Sequence, residues 1–299
     1  MSWTFETVVP ATGTPAGGVT WDGQRVLLSR PAEELIVAVD PSTGDVTELR
    51  RHTGGIRGLG VGPGGELYGA QTPSRRIVQL CDDGSTIVLP YRLDGRIHNL
   101  PTDLDVDSSG SIWFCDPKPG LRTPGPQVYP LLDHASVLQL QRGQRGEWRL
   151  RRRTWSTTAP RALALSVDER TLFVSEHNAG PHAPRELRGY GIHDDQHDDV
   201  VVLETFGHDR NGPHPGVTAM SITADGDIVA CVGGADAGPG PVLQQITARG
   251  RIVRSEVAPA PLVASTFAEA DLSALYVATD DGALLRIADT GLHGHRRHG

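Results

Sequence analysis

Several short stretches place acids, bases and potential ligands at spacings that could support chemistry. Cys115, Asp116, Pro117 and Lys118 run together, and Lys118 is the only lysine in the chain. A lysine beside an apolar funnel can lose its proton near neutrality and act as a base or Schiff-base nucleophile. The same residue in a proline-rich loop can equally be solvated. Asp116 can sit at a mouth or cap its turn through backbone N–H groups. Glu176 and His177 are adjacent, so strand alternation sends one of them toward a cavity and the other away from it. Either would suit general acid–base work if burial tuned its pKa, and an ion pair with Arg185 or Arg188 is the structural alternative. FGHDRNGPHPG (206–216) carries His208, Asp209 and His214, as a general acid or base, a two-histidine metal site or loop-stabilising groups. Asp103, Asp105 and Asp107 alternate with apolar residues, and some of these carboxylates should fix a hairpin.

Common catalytic signatures do not occur. There is no G-x-S-x-G elbow, no P-loop and no dinucleotide-type glycine motif, so serine-hydrolase and nucleotide readings lack support. The 299 residues carry a net charge of −8, from 28 basic and 36 acidic side chains, which argues against nucleic acid or an anionic membrane as partner. With 38% hydrophobic and 21% charged residues, the chain is globular in composition. It shows no 18-residue apolar run and no secretory leader pattern. Cys81, Cys115 and Cys231 form no C-x-x-C pair, which fits free thiols in a cytoplasmic protein.

The elements that must position these residues come from a repeat. A short apolar strand, a tight polar turn and a second apolar strand recur at 17–29, 57–71, 102–116, 161–176, 218–232 and 264–279. The copies start about 40 to 60 residues apart, the range for propeller blades. A second hairpin follows most copies, but only one strand, ALLRIA, follows the last. WTFETVVP (3–10) can supply the missing strand and close the ring. The expected fold is therefore all-β: a six-bladed β-propeller in one domain over residues 1–290, with 291–299 as a disordered tail. With strands A to D numbered from the axis outward, the long insertions at 117–135, 177–186, 206–217 and 233–241 share one face. That face should be functional. Its mouth should be lined by Arg57, Gln71, Asp103, Asp116, Lys118, Arg161, Glu176, His177 and Thr218. Tyr129, His134, His208, Asp209 and His214 could reach in from loops.

GGVTWDG (17–23), HNLPTDLDVDSSGSIWFCDP (98–117), APRALALSVDERTLFVSE (159–176) and GVTAMSITADGDIVA (216–230) together resemble the senescence-marker-protein/gluconolactonase (regucalcin-like) family. The resemblance spans essentially the whole chain. It implies a six-bladed propeller with a divalent metal at its centre and hydrolysis of lactones or esters. The family's metal ligands do not carry over. Its glutamate position is Gly17, its blade-three asparagine is Thr102, its Pro-Asn-Gly motif reads Pro160, Arg161, Ala162, and its Asp-Gly motif reads Thr218, Ala219. Calcium and magnesium need several oxygen donors, usually with carboxylate charge, and Arg161 would oppose a dication.

Three functions compete. The first is a metal-independent, cofactor-free enzyme that cyclises, isomerises, eliminates from or condenses a small organic, secondary-metabolite-type molecule. Lys118, Asp116, Glu176, His177, His214 and Asp103 are its candidate catalytic residues; Gln71, Tyr129, Arg161, Thr218 and His208 are its candidate substrate contacts. Strictosidine-synthase-like propellers, distant relatives of the family, support such chemistry by analogy. The second is a lactonase or esterase with a relocated metal or an activated water, using Asp103, Asp116, Glu176 and His214. The third is a small-molecule-binding propeller without catalysis.

Overall fold

The computed structural model describes residues 2–119, 130–177, 185–193, 199–209 and 212–297. Six four-stranded antiparallel sheets form the blades. Strands A and B of the blades are Val19–Trp21 with Val26–Arg30, Ile56–Val61 with Leu67–Gln71, Leu104–Val106 with Ile112–Asp116, Pro160–Leu165 with Thr171–Glu176, Val217–Ile222 with Ile228–Gly234, and Leu262–Ala268 with Ala274–Thr279. These are the six repeats read from the sequence. In the last blade, Glu6–Val9 is the outermost strand and pairs with Leu284–Ile287, Glu6 opposite Arg286 and Thr7 opposite Leu285. The N-terminal strand thus covers the outer side of Leu284–Ile287 and ties the two ends of the chain into one blade, which closes the ring. The 3-10 turn Pro31–Glu33 is the one helical element among the described residues.

Each sheet buries both faces against its neighbours, which is why the B strands read as nearly continuous apolar runs rather than alternating ones. The core accordingly divides into six clusters, one per blade interface. Leu27, Ile36 and Ala38 meet Ile56 and Val78 between blades one and two. Phe114 and Leu138 meet Tyr68 and Ile77 between blades two and three. Each fully buried Leu, Ile or Phe contributes about 1.5–3 kcal/mol relative to exposure. Cys115 and Cys231 are buried members of these clusters and, like Cys81, are free thiols.

At the axis the A strands crowd together. A Cβ on Gly18 would lie 2.6 Å from Leu59 N, so only glycine lets blade one approach blade two here. Hydroxyls stitch the ring: Ser29 Oγ donates to Ile56 O, and Ser175 Oγ donates to Val217 O at 2.9 Å. Asp107 fixes its hairpin, accepting Ser111 N at 2.8 Å and Trp113 Nε1 at 2.9 Å.

Two expectations are corrected. Residues 233–241 are largely a hairpin, because strand B of blade five runs to Gly234 and strand C begins at Ala237. The tail from 291, expected to be disordered, is packed as far as Arg297. Leu292 joins the core of blades five and six, Gly294 bridges Thr223, and His295 N donates to Ile222 O at 2.9 Å. The tail thereby crosses the face that carries the A–B turns.

Candidate functional site

A cavity of about 990 Å³ runs along the axis, walled by the A strands. One mouth is framed by the residues that open the A strands and those just after the B strands. Arg57, Asp103, Lys118, Arg161, His177 and Thr218 all line it, together with Asp280 of blade six. The other mouth lies under the tail, with Asp105 and Arg297 in its wall.

Asp103 precedes the A strand of blade three, and its Oδ2 accepts Leu163 N of blade four at 3.0 Å. Burial, with the nearby Asp105 charge, pushes its carboxyl up to about 7 against the pull of that amide and of Arg161. A carboxyl that ionises near neutrality can take and return protons at working pH. Arg161 is half-buried in the same wall. Burial pushes its pKa down, Arg57 adds to the fall, and Asp103 opposes it.

His177 donates Nδ1–H to Pro215 O at 2.7 Å, since a carbonyl can only accept, and this leaves Nε2 with its lone pair. Burial and then Arg161 push its pKa down to about 4, so the ring is neutral at pH 7. The Glu176–His177 ambiguity is resolved: His177 reaches the cavity and Glu176 does not. Lys118 lies on the rim, exposed, with Nζ 2.5 Å from Asp133 O. It lacks the dry surroundings that a lysine base or Schiff-base nucleophile needs.

Three expected mouth residues turn away. Gln71, Asp116 and Glu176 end the B strands of blades two, three and four and are buried outside the cavity wall. Each ties down the connection entering its own blade. Gln71 Nε2 donates to Thr53 O at 2.7 Å. Asp116 Oδ2 accepts Asn99 N at 2.8 Å. Glu176 Oε2 accepts Thr158 N at 3.0 Å, Thr158 Oγ1 at 2.8 Å and Ala159 N at 2.9 Å, while Arg188 stands 3.9 Å from its other oxygen. Burial pushes the Asp116 carboxyl up to about 7 as well, but it has no access to the channel. A titration near neutrality alone therefore does not mark a reacting group.

His214 is outside the cavity lining. Its ring stacks on Phe206 at 4.9 Å and its Nδ1 accepts Gly216 N at 3.0 Å, which matches the loop-stabilising alternative. His208 belongs to a two-residue strand, His208–Asp209, paired with Gly212–Pro213, and only its backbone is described. Tyr129 lies outside the described residues. The sequence placed Arg57 at the mouth, where it lies, and offered Asp105 only as a possible hairpin carboxylate, whereas it lines the channel. Arg297 was missed, and nothing local in the sequence points to it.

The four positions that hold metal in the resembling family do converge here, but their chemistry does not fit a dication. A Cβ on Gly17 would lie 2.9 Å from Pro31 Cγ and 3.0 Å from Arg57 O, so no side chain fits without movement. The Thr218 hydroxyl is 2.7 Å from Leu262 O and 3.1 Å from Cys231 O, and the Thr102 hydroxyl is 3.3 Å from Arg161 O. As neutral hydroxyls they bring no negative charge to offset a dication. Arg161 brings a positive charge to the third position, and Asp103, the carboxylate beside it, already holds Leu163 N.

No family model matches the chain. A gluconolactonase of Zymomonas mobilis subsp. mobilis is 31% identical over 124 residues, which is 40% of this chain and 33% of that protein. The match thus spans about a third of the curated relative's length. A solved gluconolactonase from Xanthomonas campestris superposes with a TM-score of 0.76 at 24% identity, over 95% of this chain and 89% of that one. Regucalcin of Agrobacterium tumefaciens, described as calcium-binding, superposes with a TM-score of 0.70 at 14% identity, over 99% and 98% of the two chains. The chain is thus a six-bladed propeller similar in fold to these proteins and, over the 124 matched residues, similar in sequence to the gluconolactonase.

Proposed function

We propose that the chain is a metal-independent enzyme acting on a small organic molecule in the axial funnel, with Asp103 as its acid–base group. The observation that carries this reading is a cavity-facing carboxyl that titrates at about 7 beside the half-buried guanidinium of Arg161. Ionised Asp103 removes a proton from carbon next to a carbonyl. The electron pair moves onto the carbonyl oxygen, where Arg161 offsets the new charge. Protonated Asp103 then returns the proton to a different atom, or a β-substituent leaves with the electron pair, or the carbon attacks a second carbonyl. Isomerisation, elimination and ring closure or condensation share that first step. Neutral His177 contributes Nε2 as an acceptor for a substrate hydroxyl. The walls can hold the reactant in one pose, which suits reactions limited by orientation.

A second reading is favoured by the gluconolactonase match: Asp103 takes a proton from water, which opens a lactone, with Arg161 facing the tetrahedral oxyanion. The free thiols and the acidic balance support a cytoplasmic setting and a small molecule, rather than nucleic acid or membrane, as partner of either enzyme.

The test is turnover of a panel of lactones and β-substituted carbonyl compounds in excess chelator, in labelled water. Turnover should survive the chelator. Solvent deuterium fixed on carbon supports the first reading, and one solvent oxygen per product supports the second. Activity abolished by chelator and restored by a divalent cation would overturn metal independence.

A further inference from the structure

Several guanidinium groups among the described residues are held by acceptors where they approach the axis or the blade interfaces. Arg297 bonds Asp105 at 2.6 Å, Arg188 bonds Glu186 at 2.7 Å, and Arg50 spans Cys81 O, Ser85 O and Thr86 Oγ1. Arg161 and Arg57 differ. Both line the funnel, and neither side chain has a hydrogen bond or a carboxylate within 4.0 Å among the described residues. They are close enough for Arg57 to disfavour the charge on Arg161. Arg161 is half-buried and Arg57 is exposed, and two like charges side by side with no counter-charge between them repel each other. Asp103 is near, but it shares its proton-accepting capacity with Leu163 N and stands beyond ion-pair distance. Thr102 and Thr218 have spent their hydroxyl protons on carbonyls. The guanidinium N–H groups are donors with no partner among the described residues, whereas Lys118, at the rim, already donates to Asp133 O.

Building on the acid–base reading of the same site, we infer that the substrate is an organic acid whose carboxylate is held by Arg161 and Arg57, with its reacting carbon turned toward Asp103. Planar forks match a planar carboxylate bidentately. A phosphate dianion would suffer more from Asp103 and Asp280, which line the same mouth. The positive charge that the resembling family supplies with an ion is here fixed to the chain, and it still selects an anionic oxygen.

The test measures binding directly, so it does not depend on turnover. Calorimetric titration of the whole protein with benzoate, benzyl alcohol and phenyl phosphate, at low and high salt, reads the site with simple probes. Benzoate should bind saturably, more weakly in high salt, and tighter than phenyl phosphate, while benzyl alcohol should not bind. Arg161→Gln should weaken benzoate at least ~10-fold and Arg57→Gln several-fold; Arg161→Lys should retain part of the affinity. Without ligand, Arg161→Gln should melt no lower than the parent protein, because an unpaired cation has been removed. Equal binding of benzyl alcohol, preference for phenyl phosphate, or unchanged affinity in both glutamine variants would overturn the inference. Should Arg161→Gln fail to fold, Arg57→Gln and the salt dependence decide. Asp103→Asn should keep binding benzoate; loss of turnover there and loss of binding in the arginine variants are thus separate failures.

Discussion

Asp103 and Asp105 stand two residues apart, face one channel, and each accepts a backbone N–H from blade four at 3.0 Å, from Leu163 and Leu165. At the tail end, Asp105 is met by Arg297 at 2.6 Å, and Arg297 also donates to Leu165 O at 2.8 Å. At the open end, Asp103 faces guanidinium groups that stop short of pairing with it. The local backbone is the same, and the difference lies in what the rest of the ring delivers to each carboxylate. A paired carboxylate becomes structure. A half-buried carboxylate left without an ion-pair partner beside cations becomes a group that can exchange protons near neutrality.

Asp103→Asn gives the sharpest break between the two ends. It should lower kcat by ~10²–10³-fold while the protein stays folded, since the carboxylate is replaced by a neutral amide that can still accept Leu163 N. Asp105→Asn should leave kcat within about twofold and lower the melting temperature instead, through the lost Arg297 pair. Steady-state kinetics beside thermal melts check both. Equal kinetic effects at the two positions would erase the distinction between them.

Glu176→Ala comes next. It leaves Thr158 N and Ala159 N unsatisfied in a buried place and should cost about 2–3 kcal/mol of stability without altering the pH profile of the remaining activity. Urea unfolding reads the first effect and kinetics the second. A selective fall in kcat with stability intact would return Glu176 to the mouth.

Much of this architecture was legible. Six hairpins at blade spacing and the spare strand at 3–10 were enough for the ring and its closure, because period-two patterning and tight turns are local properties. The convergence of positions 17, 102, 161 and 218 followed from the motifs that resemble the gluconolactonase family. The site was legible only in part. Gln71, Asp116 and Glu176 sit where B strands end, and counting along the strand placed them at the mouth. The ladders there are irregular, with register shifts between Ile56 and Gly58 and between Pro160 and Leu163. Such bulges re-aim side chains, so strand counting could say that one of Glu176 and His177 faces inward without saying which. Arg297 reaches Asp105 across 192 positions of sequence, and only the assembled ring makes that contact.

The pH dependence separates two carboxylates that burial treats alike. Asp103 and Asp116 both titrate at about 7 in the folded protein, against about 4 in an unfolded chain. The folded state therefore holds more protons than the unfolded one between those limits. Stability is greatest below about pH 4 on this account and declines as pH rises toward 7. Asp103→Asn and Asp116→Asn should each flatten that decline, measured as unfolding free energy across pH 4 to 8. The rise of kcat/KM through about pH 7, with Asp103 as the base, should vanish in Asp103→Asn and persist in Asp116→Asn. A flattened rate profile in Asp116→Asn would mean that the buried group couples to the channel.

The smallest effect belongs to the tail. Arg297→Ala removes a pair whose side chains are 11% and 28% exposed, and should cost about 1 kcal/mol or less. Its value lies in what it does to Asp103. The Asp105 charge is one of the influences that raise the Asp103 carboxyl. Without Arg297 to offset it, that charge acts more strongly on its neighbour two residues away. The midpoint of the kcat/KM profile should then move upward in Arg297→Ala and downward in Asp105→Asn, where the charge is gone. Opposite shifts of one midpoint would show that the sealed end of the channel sets the proton affinity of the open end. Shifts in the same direction, or none in either variant, would make the tail a packing element alone.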